Sequence, residues 1–576
     1  MKRTTVSAVI LATCALTGCA VGPRYQAPTP EIPDNWHQTA TNGLAPGSAE
    51  VQAWWRVFED EELTSLIDRA AEGNLDLRLA ILRVRQARAL RGIAAGELLP
   101  TLSGRGAYQR SKASANGPMG GGIQTPSKGD QFTSTVTRGI ATSVLSERLA
   151  AAAGTGPNGA TSAVASGLLG LMPSRNGLAD SDETNLFSSG FDASWELDVF
   201  GGIRRNVEAA DAEVIVALED YHGVLVSLLA EVATTYIDVR ALQSQIDATR
   251  QNIELQRQTL NLTQARFRAD LTSELDVHQA QTNLAATEAE LPLLETGLTI
   301  AIYRLGVLLG LEPAALYDEL SVVRDMPQPP AETFVGTPAD ILRRRPDLRA
   351  AERRLAAETA RIGVAAAELY PRFTLSGTLA LEATDINHLT DGRSVTYGFG
   401  PAVRWNIFDG LRNLNRIAVQ EAVVHQAYVA YEQTLLIALQ EVESAMVAYK
   451  SEQVRRDALL RAAESARRAV QLAERRYEDG LTDFQIVLDV QRSLVSLENA
   501  VAQSRGQVAV NLVALYKALG GGWSPYVAPQ AEYLVDPADA LADPFGFFFS
   551  GGKTILPWNP QPEPNDEANT NTTNQD

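Results

Sequence analysis

The chain has 576 residues, too many for a single small module; its 45% hydrophobic and 21% charged residues disfavour both wholesale disorder and a polytopic helical membrane protein. Asp plus Glu outnumber Lys plus Arg by 69 to 50, a net charge of −19, so nothing is basic enough to track a nucleic-acid backbone and no nucleic-acid partner is expected. The only two cysteines, Cys14 and Cys19, lie in the first twenty residues, which leaves no disulfide framework and no thiolate zinc site.

Lys2 and Arg3, the apolar stretch Val6 to Leu16 and the small residues after it read as a signal peptide over residues 1–18. The apolar stretch is too short to span a bilayer. Leu16-Thr17-Gly18-Cys19 resembles the bacterial lipobox, in which the signal is cut before the cysteine and the sulfur receives a diacylglycerol. Cys19 is then the new N-terminus, carrying covalent diacylglycerol and fatty acyl as its lipid anchor, and no other cofactor or metal is expected. An ordinary signal peptide with an accidental cysteine is the alternative. Ala20, where an aspartate would signal inner-membrane retention, directs the anchor to the outer membrane.

The segments that follow alternate between period two and long heptads. A weak first strand sets Leu102, Gly104, Gly106 and Tyr108 against Ser103, Arg105, Ala107 and Gln109. Residues of about 110–186 then read as a flexible loop, rich in Gly, Ala and Ser, with Gly120-Gly121-Gly122 lacking the flanks of a phosphate loop. The second strand sets Phe191, Ala193, Trp195, Leu197 and Val199 against Asp192, Ser194, Glu196 and Asp198. From Arg205 to Ala269 the chain has no proline and only Gly223, and Val239, Ile246, Ile253, Leu260 and Phe267 recur every seven residues. A continuous helix there is about 100 Å long, far more than a globular core needs. After the turn Leu271-Thr272-Ser273, Val277, Leu284, Leu291, Leu298 and Leu305 return at the same spacing.

The second half repeats this plan. Phe373, Leu375, Gly377, Leu379 and Leu381 form one strand face, and Tyr397, Phe399, Pro401, Val403, Trp405 and Ile407 form another. Ala463, Ala466, Val470, Ala473 and Tyr477 give a small-residue helix face, and Val487, Leu494, Val501, Val508 and Leu515 form the returning strip. Between them lies Leu481-Thr482-Asp483, where Gly480 suits a left-handed helix end and Thr482 with Gln485 suits a capping box. The tail after Trp523 ends in a Pro-, Asn- and Asp-rich stretch that reads as disordered, and its Gly551-Gly552-Lys553-Thr554 misses the phosphate-loop spacing. The five histidines, His37, His222, His278, His388 and His425, are too scattered for a metal site, and no enzymatic activity is expected.

An offset of 210 residues places Phe267 over Tyr477, Trp195 over Trp405, Glu231 over Glu441, Gln281 over Gln491 and Gly310 over Gly520. Upstream, Asp76-Leu77-Arg78 matches Asp347-Leu348-Arg349 at an offset of 271, so the first copy carries 61 extra residues between Pro100 and Trp195. One unit has been duplicated. The chain divides into a signal peptide at 1–18, a lipid-anchored segment at 19–62, a first repeat at 63–325, a second at 326–523 and a tail at 524–576.

Four strands of about ten residues, apolar on one face, match membrane-spanning β-strands, although a soluble sandwich has similar alternation. With the lipobox, and with no apolar run of 18 residues seen, the membrane barrel is the better reading. Four strands cannot close such a barrel, and an open edge in lipid costs several kcal/mol per unpaired amide. The protein is therefore expected to be an obligate oligomer, and physics alone permits two, three or four copies.

The chain resembles the TolC-like outer-membrane efflux proteins, and within them the lipid-anchored NodT-type factors, from about Trp54 to Trp523. The residues that carry the resemblance are Gly22-Pro23-Arg24-Tyr25, Arg344-Arg345-Pro346-Asp347-Leu348-Arg349-Ala350-Ala351-Glu352, Asp409-Gly410 and Tyr516 to Trp523. The resemblance implies a mainly α protein with a transmembrane β-barrel. Long antiparallel coiled-coil helices form a periplasmic α-barrel, and four strands per protomer join a twelve-stranded barrel in a homotrimer. It implies as partners a periplasmic adaptor, an inner-membrane pump of the RND type and outer-membrane lipid. Export of small amphiphilic compounds is the favoured function, with a conduit for a secreted polypeptide as the alternative. A mechanical spacer would not need strands with polar faces. The resemblance also implies that the adaptor docks at the two tips, Leu271, Thr272, Ser273 and Leu481, Thr482, Asp483, and that Gln485 and Asp489 form rings at a periplasmic gate. Ile486 stands where some relatives carry a second acidic ring.

Overall fold

The computed structural model describes residues 20–38, 41, 43–45, 47, 51–112 and 183–524. Cys19, most of the loop expected at about 110–186 and the tail beyond Ser524 lie outside them. Two compact units result, one of strands and one of helices.

The strand unit is a four-stranded sheet of β1 (Thr101–Ser111), β2 (Thr184–Leu197), β3 (Arg372–Ala383) and β4 (Val395–Arg404), in that spatial order. β1 runs antiparallel to β2, and β2 antiparallel to β3. The register sorts side chains as period two demands. Tyr108 lies opposite Phe187 with ring centroids 4.8 Å apart, while Phe191 faces Leu379 and Trp195 faces Leu375, building one apolar face. Ser103 faces Asp192, and Asp192 faces Thr378, on the polar face, where Arg105 meets Asp192 at 3.4 Å. Phe399 is 84% exposed, and so is much of the apolar face. Among the described strands neither β1 nor β4 has a partner on its outer edge.

The helical unit opens with α1 (Glu61–Gly73), capped by Asp60, and α2 (Leu75–Gly96), capped by Asn74. Then come the long α3 (Gly202–Arg268) and α4 (Glu274–Leu308), the short α5 (Pro338–Arg344), α6 (Pro346–Ala367), the long α7 (Arg412–Glu478) and α8 (Phe484–Ala518). The duplication is legible in lengths: α3 and α7 have 67 residues each, α4 and α8 have 35, and α2 and α6 have 22. Their starts differ by the offsets of 210 and 271 found in the sequence. At 1.5 Å per residue α3 spans about 100 Å. α2, α3, α6 and α7 lie side by side in that order, α4 folds back along α3, and α8 folds back along α7 and also touches α3.

Most heptad residues do what their spacing predicts: Val239, Ile246, Ile253, Val277, Leu284, Leu305, Val487, Leu494, Val508 and Leu515 are buried, Leu260, Leu291, Leu298 and Val501 are half-buried, and Phe267, next to the first tip, is exposed. One expectation needs correction. An 18-residue window of α4 reaches a mean hydropathy of 1.4, so an apolar stretch of that length does exist. Only 17% of it is buried, and ion pairs fix the helix as the coiled partner of α3: Arg304 to Glu231 at 2.6 Å and Arg250 to Glu295 at 2.8 Å.

The core sits where the two copies meet. Trp54 stacks on Tyr516 at 5.7 Å, and Gly522, at φ +100°, leaves room that a Cβ would take from Trp54, whose Nε1 lies 2.9 Å away. Trp523 links the two sequence motifs: its indole N–H donates to the Arg344 carbonyl at 2.9 Å, His222 stacks on it at 4.5 Å and the Arg349 guanidinium lies over it at 5.1 Å. Arg349 also pairs with buried Glu219 at 2.6 Å, and Glu219 holds His222. His222 is thus a packed core residue.

Candidate functional site at the hairpin tips

Each helical hairpin ends in a turn built by local rules. At the first tip α3 ends at Arg268; the Asp270 N–H bonds to the Phe267 carbonyl and the Leu271 N–H to that of Arg266, each at 2.9 Å. This is the paired C-terminal pattern that needs a left-handed residue, here Asp270 at φ +57°. At the second tip the equivalent Gly480 takes φ +70°, with its N–H on the Tyr477 carbonyl at 3.0 Å and that of Leu481 on Arg476 at 2.7 Å.

The return helices start differently. Ser273 caps α4 in a capping box with Asp276, and the Thr272 hydroxyl also donates to the Asp276 carboxylate. The capping box expected from Thr482 and Gln485 does not form. α8 is capped by the backbone of Asp483, one residue later than expected, which puts Ile486, with no polar side chain, at the third position. Gln485 instead turns along the helix and donates to Asp489 at 3.0 Å, so those two residues share one exposed face as their i, i+4 spacing implied. Leu271 is 64% and Leu481 66% exposed, large apolar side chains held at the ends of rigid hairpins. Thr272 and Thr482 are half-buried, while Ser273 and Asp483 are exposed.

Contacts between the two tips were not foreseen in the sequence. Arg266 Nη1 donates to the Glu478 carbonyl at 2.8 Å, its guanidinium lies 4.8 Å from the Tyr477 ring centre, and the Tyr477 hydroxyl donates to Thr272 Oγ1 at 3.4 Å. Beneath them Ala280, Ala473, Tyr477, Phe484, Val487 and Leu488 form a small separate core. Farther along, Arg492 donates to Asn283 at 3.0 Å, and Glu498 accepts from Asn252 at 2.8 Å and from Arg467 at 2.5 Å. The repeated Arg266 and Arg476 were the signal: both ends carry an arginine, and only the first is placed to reach across.

The N-terminal segment is tied to the opposite region of the helical unit. The Val21 N–H donates to the Phe200 carbonyl at 3.0 Å, and buried Arg205 donates to the carbonyls of Val21 and Gly22 at 3.2 and 3.3 Å. Burial and the neighbouring Glu352 carboxylate hold the Tyr25 hydroxyl well above the usual phenol range; that hydroxyl donates to Glu352 at 3.0 Å.

Residues 163–311 and 337–521 match the family model described as outer membrane efflux protein. Nodulation protein T of Rhizobium leguminosarum bv. trifolii is 30% identical over 512 residues, covering 88% of this chain and 96% of that protein. Outer membrane protein OprJ of Pseudomonas aeruginosa is 30% identical over 523 residues, covering 90% and 96%. Among solved structures, the outer-membrane channel OprN superposes with a TM-score of 0.72 at 33% identity, over 88% of this chain and all of that one.

Proposed function

The chain belongs to the outer membrane efflux protein family, and from that premise we propose that it is the outer-membrane channel of a tripartite efflux system. It works as a passive trans-envelope conduit for small amphiphilic compounds, without catalysis of its own. An inner-membrane pump of the RND type drives export through a periplasmic adaptor. The two sequence repeats, 63–325 and 326–523, each contribute two strands and two long helices, and Cys19 carries the lipid anchor. Val21 and Gly22, held by Phe200 and Arg205, fix where the anchored chain joins the fold.

The observation that carries this reading is that both ordered layers are left open at both ends. Among the described strands the sheet has no partner at the outer edges of β1 and β4. In the helical row the outer members carry exposed apolar residues: Leu75, Leu79, Leu82, Leu90 and Ile93 on α2, and Val419, Val429 and Leu436 on α7. Each leucine buried against a neighbour contributes about 1.5–3 kcal/mol, and unpaired strand amides in lipid cost several kcal/mol each. Further copies satisfy both. Three copies give twelve strands, the number the family resemblance supplies, and enclose a passage lined by the polar face of Asp192, Glu196 and Thr378. The tips then face the periplasm, where Leu271 to Ser273 and Leu481 to Asp483 receive the adaptor and rings of Gln485 and Asp489 narrow the entrance.

Cells lacking the protein should accumulate amphiphilic dyes and drugs, and complementation should restore low levels. Unchanged accumulation, together with loss of a secreted polypeptide, would overturn the small-molecule assignment.

A further inference from the structure

Above the small core at the tips, three helices meet in a polar seam. Gln491 of α8, 2% exposed, uses both amide hydrogens there: Nε2 donates to Glu474 Oε1 of α7 at 2.9 Å and to Thr259 Oγ1 of α3 at 2.8 Å. Thr259 Oγ1 lies 3.4 Å from the same carboxylate oxygen but 3.1 Å from the Leu255 carbonyl, the better acceptor for its single proton. The seam is short of donors. Gln256, three residues earlier on α3 and 3% exposed, keeps a buried Oε1 without a donor. Neither Thr259 nor Gln491 ionises, and no charged side chain among the described residues perturbs Glu474. A half-buried carboxylate thus sits where the two hairpins meet, bonded to Gln491 of its own hairpin and 3.4 Å from Thr259 of the other, with no counterion among the described residues.

We propose that Glu474 is a proton-operated clasp between the two hairpins: its neutral form holds the tips together, and its ionised form loosens them. This rests on the reading of the tips as the channel entrance. Burial is the dominant influence on the carboxyl and raises its pKa above the ordinary value, while the hydrogen bond from Gln491 opposes this. Separating the hairpins returns Glu474 to water and to an ordinary carboxylate value of about 4.3. The joined state therefore binds the proton more tightly. Its advantage is complete below that ordinary value and is lost as pH rises through the raised one.

The test uses the full chain in lipid nanodiscs, with spin labels at Arg268→Cys and Asp479→Cys and labelled copies diluted into unlabelled ones. Electron–electron distance measurements against pH should show the intra-chain separation shortening as pH falls, with a midpoint above 4.3. Glu474→Gln, a neutral isostere that also keeps an acceptor for Gln491, should hold the short distance at every pH. Asp489→Asn should leave the step in place. A wild-type distance independent of pH, or a step that persists in Glu474→Gln, overturns the clasp. Single-channel conductance is recorded in parallel. A distance step without a conductance step supports the clasp and counts against the tips as the channel entrance, so the two readings fail separately.

Discussion

Arg266 carries the clearest single link between the hairpin tips, and removing it should be visible in channel opening. Arg266→Ala deletes one charged hydrogen bond, Nη1 to the Glu478 carbonyl at 2.8 Å, and one cation–π contact with Tyr477 at 4.8 Å. A partly exposed bond of that kind contributes about 0.5–1.5 kcal/mol and an exposed cation–π contact about 0.5–1. Arg266 Nε is buried without a partner, so its removal returns part of that stabilisation. The net loss is about 1–2 kcal/mol, a roughly five- to thirtyfold shift toward separated tips. Single-channel recording in a planar bilayer should show a higher open fraction with the assembly intact by gel filtration, and Arg266→Lys should fall between, since an ammonium lacks the planar fork. An open fraction and conductance identical to the wild type, with the assembly intact, would refute the idea that this link holds the tips together.

Cys19→Ser should abolish incorporation of labelled fatty acid while leaving part of the export activity, because a lipid chain contributes only about 0.8 kcal/mol per buried methylene beside the burial of a whole barrel. Persistent labelling would exclude the lipobox. Leu271→Glu and Leu481→Glu should block export with assembly unchanged, and unaltered drug susceptibility in both would remove the tips as the docking surface. Asp489→Ala should raise conductance or weaken block by divalent cations, since a ring of like carboxylates attracts cations; an unchanged channel would take Asp489 out of the gate.

The longest helices were legible because no proline interrupts them: α3 runs from Gly202 to Arg268 where the sequence suggested Arg205 to Ala269, while α4 continues through Pro292. The duplication predicted equal helix lengths, and the alternation predicted which strand residues share a face. Side-chain environment was not legible from repetition. Gln281 and Gln491 occupy equivalent positions, yet Gln281 is exposed beside His278 while Gln491 is buried in the polar seam, because only the second return helix packs extensively on the other hairpin. The same asymmetry hid the reach of Arg266 and misplaced the cap of α8. A capping box read from Thr482 fails when the chain begins its helix one residue later, a choice made by the burial of Phe484 in the tip core.

The central claim is that three copies close on one another through the free edges of the sheet. It is tested most directly by cross-linking a variant with Ala107→Cys in β1 and Ala402→Cys in β4, both on the polar face. The chain has no cysteine after Cys19, so in a background with Cys14 and Cys19 replaced by Ser a short bifunctional thiol reagent joins only those sites. The account predicts a ladder of one, two and three chains that ends at three, with the final product migrating as a closed ring. A ladder that ends at two or four chains, or no products beyond the single chain, would contradict it.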